Sequence, residues 1–591
     1  MLRKKKKVWS FLVLLLLFLS ALLLFSGNWL LQTWNQLSMD ELIYHLKTPL
    51  KGTNPALIGN YLLCCLLPAV ALVLFFTVIF YLSRRKQFWL RIFLVGSLIL
   101  SMVMLGITIY QLVTKLELQT FAESVTVYSD FIDENYVEPS EVTLTFSEKK
   151  RNLIHIYLES METTYADADS GGSFSENVIP ELTKLALENE DFSNSQDTIN
   201  GAISLSGSTW TMGALFAQTA GLPLSLPIDG NAMSGQSSFL PTVTALGDLL
   251  EDAGYQQAFL IGSDGAFGGR DLYYTEHGHA QIWDYHYFVS TGQIPEDYYV
   301  FWGFEDKYLI EFAKEKLTWL SQQEQPFHLS MLTVDTHFEN GYLCSDCETY
   351  YANDPYSNVM RCSSEKIGEL IAWIQEQDFY ENTTIVLTGD HLTMDSDYCG
   401  YVPEDYQRKV FTTFINAPIT AATKEARTYS TFDIFPTTLA SLGVTIDGNR
   451  LALGTNLFSD EPTLCEKYDI SYINKELKKQ SLLMDELTAD VTYAKGAITA
   501  DGYNIISDSF DVSIDNMQHS VDIVDLRCLV WTKEDRSDAK WFIQSYEGDR
   551  NYDFQISTLD FSSDAQIYQI EVYAYTKDTM MYKLGSTNFI K

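Results

Sequence analysis

The stretch TTIVLTGDHLTMD, residues 383–395, is the most informative part of this 591-residue chain. Its first half is apolar, as in a buried strand, and it leads into two adjacent polar side chains, Asp390 and His391. Open α/β sheets place their chemistry at the carboxyl ends of their strands. A carboxylate and an imidazole are both ligands for divalent metal ions. The stretch therefore predicts a metal site at a strand end.

Two further segments add the groups that a metal-assisted reaction needs. NLIHIYLES, residues 152–160, is also strand-like and brings Glu159 to its end. GSTWTMGALFAQTAGLPL, residues 207–224, places Thr211 at the start of a helical pattern. A bound divalent ion lowers the pKa of a neighbouring hydroxyl, which makes threonine usable as a nucleophile. The tripeptide GDH alone is a common end to a strand. The prediction of a site therefore rests on Glu159, Thr211, Asp390 and His391 taken together.

Strand-like and helix-like segments alternate from about residue 152 to residue 457. YQQAFLIGS (255–263) and PFHLSMLTVDTH (326–337) are further apolar strands, and each follows a helical pattern. This alternation is typical of a largely parallel sheet covered by helices on both faces. We therefore predict an α/β catalytic domain with a mixed sheet over residues 151–460.

The order of these residues resembles the alkaline-phosphatase/sulfatase superfamily, and within it the membrane-bound phosphoglycerol transferases and lipoteichoic acid synthases. The resemblance covers roughly residues 150–450 and runs through Glu159, Thr211, Arg270 in GAFGGRDLYYTEHG, His337 in LTVDTHF, and Asp390 with His391. It implies one Mn²⁺ bound by Glu159, Thr211, Asp390 and His391, with Zn²⁺ or Mg²⁺ as alternatives. It also implies that Thr211 carries a glycerol-phosphate intermediate, and that Arg270 and His337 bind the phosphate or glycerol of the substrate.

The segment WTMGALFAQTAGLPL, residues 210–224, is most similar to phosphoglycerol transferases that act on periplasmic glucans. The resemblance thus implies phosphatidylglycerol as donor and an envelope glycan or a teichoic acid as acceptor. Sulfatases need Cys or Ser followed two and four places later by Pro and Arg, whereas MGAL follows Thr211. Sulfate-ester hydrolysis is therefore disfavoured. Phosphoethanolamine transfer, phosphodiester hydrolysis and a catalytically inactive glycan-binding surface protein remain as alternatives.

Three apolar runs predict a membrane anchor over residues 1–112. They cover about residues 8–25, 61–82 and 92–112. Each is long enough, at about 1.5 Å per helical residue, to cross the hydrocarbon core. A signal peptide is the alternative for the first run, but no small-residue cleavage site follows it. The basic clusters at 3–7 and 84–86 predict a multi-pass protein of the cell membrane with its catalytic domain outside the cell.

The charge balance changes sharply along the chain. Residues 1–110 hold 11 Lys and Arg against 2 Asp and Glu, whereas the remaining residues hold 29 against 75. So acidic a surface repels nucleic acid, and we predict no nucleic-acid partner. Acidity that keeps an exported domain soluble explains most of these charges without any further function.

Three segments surround the predicted catalytic domain. We predict a helical stalk over 113–150, a helical linker over 461–499 and, from period-two alternation, a β-sandwich over 500–591. The stretches LRCLVWTKEDRSDAKWF and YQIEVYAYTKD in the sandwich resemble the bacterial surface repeat named for the group B streptococcal Bsp protein. That resemblance leaves the role of the sandwich open.

Six cysteines lie in the predicted extracellular part: Cys344, Cys347, Cys362, Cys399, Cys465 and Cys528. An even number on the oxidising side permits disulfides without assigning them. The short spacing in GYLCSDCETY favours a local bridge between Cys344 and Cys347, with half of a zinc site and free thiols as alternatives.

Overall fold

The structure is a computed structural model, and it describes most of the chain. The described residues are 2–33, 42, 55–83, 86–115, 127–224, 239–338, 340–395, 397–488, 494–519, 521, 523–533, 536–548, 551–562, 565–577 and 581–591. Predicted features that lie partly outside them include the basic cluster with Arg84 and Arg85, the stalk at residues 116–126, the catalytic domain at 225–238 and the linker at 489–493. The chain divides into two compact units, and the second contains the C-terminal strands.

The N-terminal region is helical. Its helices are α1 (Leu2–Thr33), α2 (Pro55–Tyr61), α3 (Leu67–Ser83) and α4 (Gln87–Lys115), with a π-helical turn at Leu62–Leu66 between α2 and α3. Among the described residues, three stretches are long and apolar enough to cross a membrane: Trp9–Thr33, Ile58–Ser83 and Gln87–Lys115. The Gln111 amide donates to Asn28 Oδ1 at 2.7 Å and joins α4 to α1, as polar side chains do between membrane helices. These helices support the prediction of a membrane protein.

The α/β unit is built on a seven-stranded sheet with the order β3-β8-β7-β2-β6-β4-β5. The strands of this unit are β1 (Leu144–Thr145), β2 (Asn152–Leu158), β3 (Gly201–Ala202), β4 (Gln256–Ile261), β5 (Gln281–Trp283), β6 (Phe327–Leu332), β7 (Thr383–Gly389), β8 (Val410–Ile415), β9 (Thr445–Ile446), β10 (Arg450–Leu451) and β11 (Gly454–Thr455). Strands β7, β2, β6, β4 and β5 run parallel, whereas β8 is antiparallel to β7 and to β3. The predicted mixed, largely parallel sheet is confirmed.

The described residues that follow the membrane helices also form twelve further α-helices. They are α5 (Phe131–Asn135), α6 (Pro180–Glu188), α7 (Thr211–Ala220), α8 (Leu246–Asp252), α9 (Arg270–Glu276), α10 (Tyr285–Ser290), α11 (Asp306–Leu320), α12 (Pro355–Gln375), α13 (Ile434–Ser441), α14 (Leu464–Lys467), α15 (Ile470–Leu477) and α16 (Leu482–Leu487). Ile154, Ile156 and Leu158 on alternate positions of β2 share one apolar core with α6, α11 and α12. Neighbouring positions of a strand face opposite sides, so His155 and Tyr157 point to the other face.

The described part of the predicted stalk packs against the α/β unit and does not form a separate helical spacer. Strand β1 pairs with β9, and Val137 forms a bridge with Ala452. Phe131 is buried and its ring contacts Tyr468 at a centroid distance of 5.4 Å. Burial of these apolar side chains stabilises a packed segment over an exposed one, so the stalk prediction is corrected for residues 127–150.

The C-terminal region is a sandwich of two antiparallel sheets, as predicted. Its strands are β12 (Ala494–Asn504), β13 (Ser509–His519), β14 (Ile523–Trp531), β15 (Lys540–Ser545), β16 (Tyr552–Ser557), β17 (Ile567–Thr576) and β18 (Met581–Ile590). The sheets have the orders β12-β13-β16 and β15-β14-β17-β18, and their inner faces form one apolar core. Because β12 begins at Ala494, the predicted helical linker ends earlier than residue 499.

The disulfide differs from the one favoured by the sequence. Cys347 is bonded to Cys362, two turns into α12, and Cys344 is a buried thiol. The fold brings α12 against the loop that carries Cys344 and Cys347. A partner from a distant part of the sequence is therefore as close as the one three residues away, which spacing alone could not reveal.

Candidate active site

The register of the sheet brings Glu159 and Asp390 together. Strands β2 and β7 are parallel neighbours, with Leu158 opposite Gly389, so the residue after each strand lies at the same edge. A side chain at Gly389 would place its Cβ 2.0 Å from the Met161 carbonyl oxygen, so only glycine fits there. The backbone N–H of Ser160 donates to Asp390 Oδ1 at 2.7 Å and fastens the two strand ends to each other.

Four of the predicted site residues converge at this edge. Single ligand atoms of Glu159, Asp390 and His391 all lie within 4.8 Å of one another, and all three side chains are buried. His391 Nε2 lies 3.5 Å from Glu159 Oε1 and 3.4 Å from Asp390 Oδ2. Thr211 Oγ1 lies 3.4 Å from both Glu159 Oε2 and His391 Nε2. The four residues predicted to bind metal thus form one compact group.

The chemistry of this group fits a divalent cation. Asp390 Oδ2 is buried and has no hydrogen-bond partner among the described residues. His391 Nδ1 lies 2.8 Å from the Leu392 carbonyl, to which it donates, so the lone pair of Nε2 is directed at two carboxylates. Burial and the charge of Glu159 raise the pKa of Asp390 to about 8. Buried carboxylates and a lone pair that face one another need a positive charge between them.

The pKa of Glu159 shifts in the opposite direction. Burial alone would raise it, but the neighbouring His337 and His391 and the Ser160 hydroxyl, which donates at 2.9 Å, hold it below its ordinary value. The backbone of Glu159 is fixed on both sides, because its N–H donates to Thr333 Oγ1 and its carbonyl accepts from Thr336 Oγ1. The carboxylate is therefore ionised and rigidly placed, as a metal ligand should be.

Thr211 is the first residue of α7, after an extended Trp210. The N-terminus of a helix carries a partial positive charge, which favours a phosphoryl group or a developing alkoxide beside the hydroxyl. Two turns later on the same helix, Gln218 donates to the Gly389 carbonyl at 3.0 Å and ties α7 to the strand end that precedes Asp390. Sequence reasoning missed Gln218. The spacing i to i+7 in TMGALFAQ, which puts both side chains on one face, is the signal that could have found it.

Arg270 and His337 lie together at a second part of the site. Arg270 is buried at the start of α9, where its guanidinium donates to the carbonyls of Phe267 and Asp264. His337 Nδ1 lies 2.7 Å from the Phe338 carbonyl. Burial lowers the pKa of His337, the positive charge of Arg270 lowers it further, and Glu159 opposes the shift. His337 is therefore neutral at pH 7 and lies within electrostatic range of both groups.

Aromatic rings join Arg270 to His337. The Arg270 guanidinium lies 5.3 Å from the centre of the Phe267 ring, which contacts Trp302 at 5.2 Å. Trp302 in turn contacts the His337 imidazole at 4.8 Å. Rings of this kind fix the orientation of a cation and an imidazole and exclude water around them. Sequence reasoning missed Trp302, because a single tryptophan in FWGFED is not distinguishable from a core residue.

Two family models match parts of the chain. Residues 151–444 match the Sulfatase family model. Residues 151–444 form a sulfatase-family domain. Residues 499–589, in the sandwich, match the GBS Bsp-like repeat model.

The chain is also similar to curated phosphoglycerol transferases. Phosphoglycerol transferase I of Xanthomonas axonopodis pv. citri is 33% identical over 300 residues, 50% of this chain and 41% of that protein. Phosphoglycerol transferase I of Salmonella paratyphi B is 30% identical over 382 residues, 63% of this chain and 47% of that protein. The chain thus spans about half the length of the curated relatives it matches, or less.

Solved structures with some similarity include the lipoteichoic acid synthase LtaP from Listeria monocytogenes. It is 18% identical with a TM-score of 0.41 and covers 56% of this chain and 82% of its own. A protein in the alkaline phosphatase superfamily from Vibrio parahaemolyticus is 17% identical with a TM-score of 0.39, over 74% of this chain and 83% of its own.

The loop that carries Asp390 and His391 has a further support. Glu162 is fully buried and accepts from the Thr393 N–H at 2.9 Å, two residues after His391. Arg408 binds the same carboxylate through Nε at 2.9 Å and also through Nη2. An arginine that holds a carboxylate through two nitrogens is a rigid pair. Arg408 follows an exposed loop and carries no sequence signal for this role.

Proposed function

We propose that this chain is a membrane-anchored phosphoglycerol transferase. It uses a divalent cation, Mn²⁺ by preference, and transfers glycerol phosphate from phosphatidylglycerol to a cell-envelope glycan or polyglycerolphosphate acceptor. The observation that carries the proposal is the position of Thr211 Oγ1, 3.4 Å from both Glu159 Oε2 and His391 Nε2, two members of the buried group that also contains Asp390. The 30–33% identity with curated phosphoglycerol transferases supports the reaction type.

The proposed reaction has two displacements. Thr211 Oγ1 attacks the phosphorus of the donor, diacylglycerol leaves, and phosphoglycerol remains on Thr211; an acceptor hydroxyl then displaces Thr211. Glu159, Asp390, His391 and Thr211 would hold the cation, which supplies positive charge for the phosphoryl oxygens and lowers the pKa of the Thr211 hydroxyl. Arg270 supports the same oxygens from its buried position at the start of α9.

His337 is suited to the acceptor step. Because burial lowers its pKa, the imidazole is neutral at pH 7 and can take the proton of the acceptor hydroxyl. Its Nδ1 is engaged with the Phe338 carbonyl, so Nε2 is the atom that accepts the proton. With the Trp302 ring against the imidazole, this side of the site is also shaped to bind the glycerol group.

The membrane helices are consistent with a lipid donor. Because basic residues favour the cytoplasmic side, we propose that the clusters at 3–7 and 84–86 lie in the cytoplasm and the sulfatase-family domain on the outer side. Phosphatidylglycerol and an envelope acceptor both meet the enzyme there. We propose a glycan as the acceptor because the segment around Thr211 is most similar to transferases that act on glucans.

Intact-mass spectrometry of the full-length protein in detergent tests the proposal. We expect incubation with Mn²⁺ and phosphatidylglycerol, without acceptor, to add the mass of one phosphoglycerol group to the wild type and nothing to Thr211→Ala. Phosphatidylethanolamine in place of phosphatidylglycerol should leave the wild-type mass unchanged. An adduct from phosphatidylethanolamine instead would establish the phosphoethanolamine alternative, and an adduct on Thr211→Ala would exclude Thr211 as the nucleophile.

A further inference from the structure

Three cysteine sulfurs meet at a place that the proposed reaction does not use. Cys347 and Cys362 form the disulfide that fastens the loop after β6 to α12. The thiol of Cys344 lies 3.4 Å from Cys347 Sγ and 3.6 Å from Cys362 Sγ. Both distances are close to van der Waals contact, so the thiol is already in position beside both sulfurs of the bond. Cys399, Cys465 and Cys528 are buried single thiols without such a neighbour among the described disulfides.

We propose that Cys344, Cys347 and Cys362 form a thiol–disulfide exchange site with two alternative pairings. Cys344 loses its proton to water, and its thiolate attacks Cys347 Sγ. The Cys344–Cys347 bond forms as the Cys347–Cys362 bond breaks, and Cys362 leaves as a thiolate that takes up a proton. The number of disulfides and thiols is unchanged, so the step needs no oxidant or reductant.

The surroundings permit the product pairing. Cys344 and Cys347 are separated by two residues, the spacing of C-x-x-C disulfides. A cavity with room for roughly one water molecule is lined by Cys344 and Cys362, so the Cys362 sulfur has space when it leaves. Lys366 lies one helical turn after Cys362 and lines the same cavity. Its positive charge stabilises thiolate at Cys344 and partly offsets the burial that opposes it.

The exchange changes how the His337 loop is held. In the observed pairing, residues 338–347 are fastened to α12 through Cys347. In the alternative pairing the bridge is local, and this loop is held only by non-covalent contacts. Two of these are the Tyr342 N–H, which donates to the Asp335 carbonyl at 2.7 Å, and Lys307, which donates to Ser345 Oγ at 3.1 Å. The effect on His337 rests on the function proposed above, whereas the exchange itself does not.

Peptide mapping distinguishes the two pairings directly. Trypsin cleaves after Lys316, Arg361 and Lys366, so Cys344 and Cys347 fall on one peptide and Cys362 alone on CSSEK, residues 362–366. The full-length protein is incubated near pH 8 with glutathione buffer, quenched in acid, denatured and alkylated without reduction. We expect to detect the peptide CSSEK in two forms, one disulfide-linked and one alkylated. The minor form should make up about a tenth or more of the total. The alkylated form should appear together with an internal bridge in peptide 317–361.

Two matched variants each allow only one of the two disulfides to form. In Cys344→Ser, CSSEK should be wholly disulfide-linked, and in Cys362→Ser only the internal bridge should form. Alkylation of Cys465 in every sample checks that denaturation was complete. CSSEK wholly linked in the wild type, as in Cys344→Ser, overturns the proposal. So does alkylation of all three cysteines together with a stoichiometric metal by elemental analysis, which would indicate a metal-binding thiol cluster.

A transfer assay on the same variants tests the consequence. We expect the rates of Cys344→Ser and Cys362→Ser, which hold the loop in the two different ways, to differ by about threefold or more. Equal rates together with a mapped exchange would overturn only the link to His337. If the protein does not transfer phosphoglycerol, the peptide map still tests the exchange, because it does not depend on that reaction.

Discussion

The two compact units differ in whether they bury ionisable side chains. In the β-sandwich, the buried positions among the described residues include no Asp, Glu, Lys, Arg or His. The α/β unit buries Glu159, Asp390 and His391 at one sheet edge, and Glu162, Asp306 and Asp335 elsewhere. Buried ionisable groups cost free energy unless they are paired or bind an ion. The sandwich is therefore organised for stability, whereas the α/β unit gives up stability at a place where chemistry requires charge.

The largest expected effect is on the proposed nucleophile of the α/β unit. We expect Thr211→Ala to lower the transfer rate at least about 10³-fold, because no other hydroxyl occupies its place. Its thermal stability should stay near that of the wild type, since Thr211 is partly exposed. Thr209→Ala, two residues before the helix, is the matched control and should transfer normally. A residual rate above a tenth of wild type in Thr211→Ala would contradict the assignment.

The second prediction concerns the apolar core of the sandwich. The rings of Phe510 and Phe589 stack at a centroid distance of 4.1 Å in this core. We expect Phe510→Ala to destabilise the sandwich by about 3–5 kcal/mol, through lost burial and the cavity left behind. Calorimetry should show the loss, while donor-dependent labelling of Thr211 should persist. Ile506→Ala, at a side chain that is 93% exposed, is the control and should change little. Loss of labelling in Phe510→Ala would show that the site depends on the sandwich.

The third prediction is that metal stabilises the α/β unit and not the sandwich. Binding of Mn²⁺ at 100 times its Kd should add about 2.7 kcal/mol to the free energy of unfolding of the unit that binds it. Calorimetry with Mn²⁺ and with a chelator measures the difference. Asp390→Asn, which keeps the acceptor Oδ1 but removes the charge, should abolish the shift. An equal shift of both transitions, or a shift retained in Asp390→Asn, would place the ion elsewhere.

The smallest expected effect is a pH dependence from a buried histidine of the α/β sheet. Burial lowers the pKa of His328 to about 3, from an ordinary value near 6.5. The unfolded chain then takes up a proton below pH 6.5 that the folded chain does not. The stabilisation by His328 is complete above pH 6.5 and falls by about 1.4 kcal/mol for each pH unit below it.

A variant isolates this contribution from all other titrating groups. His328→Gln loses hydrogen bonds to Gln257 and Ser330, so we expect it to be less stable than the wild type at pH 8. Between pH 6.5 and 5 its deficit in the free energy of unfolding should shrink by about 2 kcal/mol. Urea titrations of both proteins across that range provide the measurement. A constant deficit would show that His328 accepts a proton in the folded state.

The sequence predicts the sheet and the sandwich well for a simple physical reason. Parallel strands such as NLIHIYL and TTIVLTG are mostly apolar runs that are buried along nearly their whole length, and the sandwich strands alternate with period two. Both patterns lie within short stretches of sequence, so they can be recognised without knowledge of the fold. The two acidic residues that follow the strands, Glu159 and Asp390, break the apolar runs and mark the site for the same reason.

The features that escaped prediction depend on contacts between distant segments. Gln218 and Arg408 act on residues 171 and 246 positions away in the sequence. The disulfide partner of Cys347 is set by where α12 packs, and the stalk residues are held by burial of Phe131 against residues near 470. No local pattern encodes these pairings, because each depends on which surfaces the folded chain brings together.

The register between β2 and β7 also determines when the metal can be acquired. Glu159 and Asp390 meet only after β7 has joined a sheet whose strand β2 lies more than two hundred residues earlier in the chain. Such long-range pairing is a slow and late step of folding. A growing or unfolded chain therefore offers no site, and the ion is chosen by the compartment in which folding finishes. Metal availability there, more than intrinsic affinity, sets which divalent ion the mature protein carries.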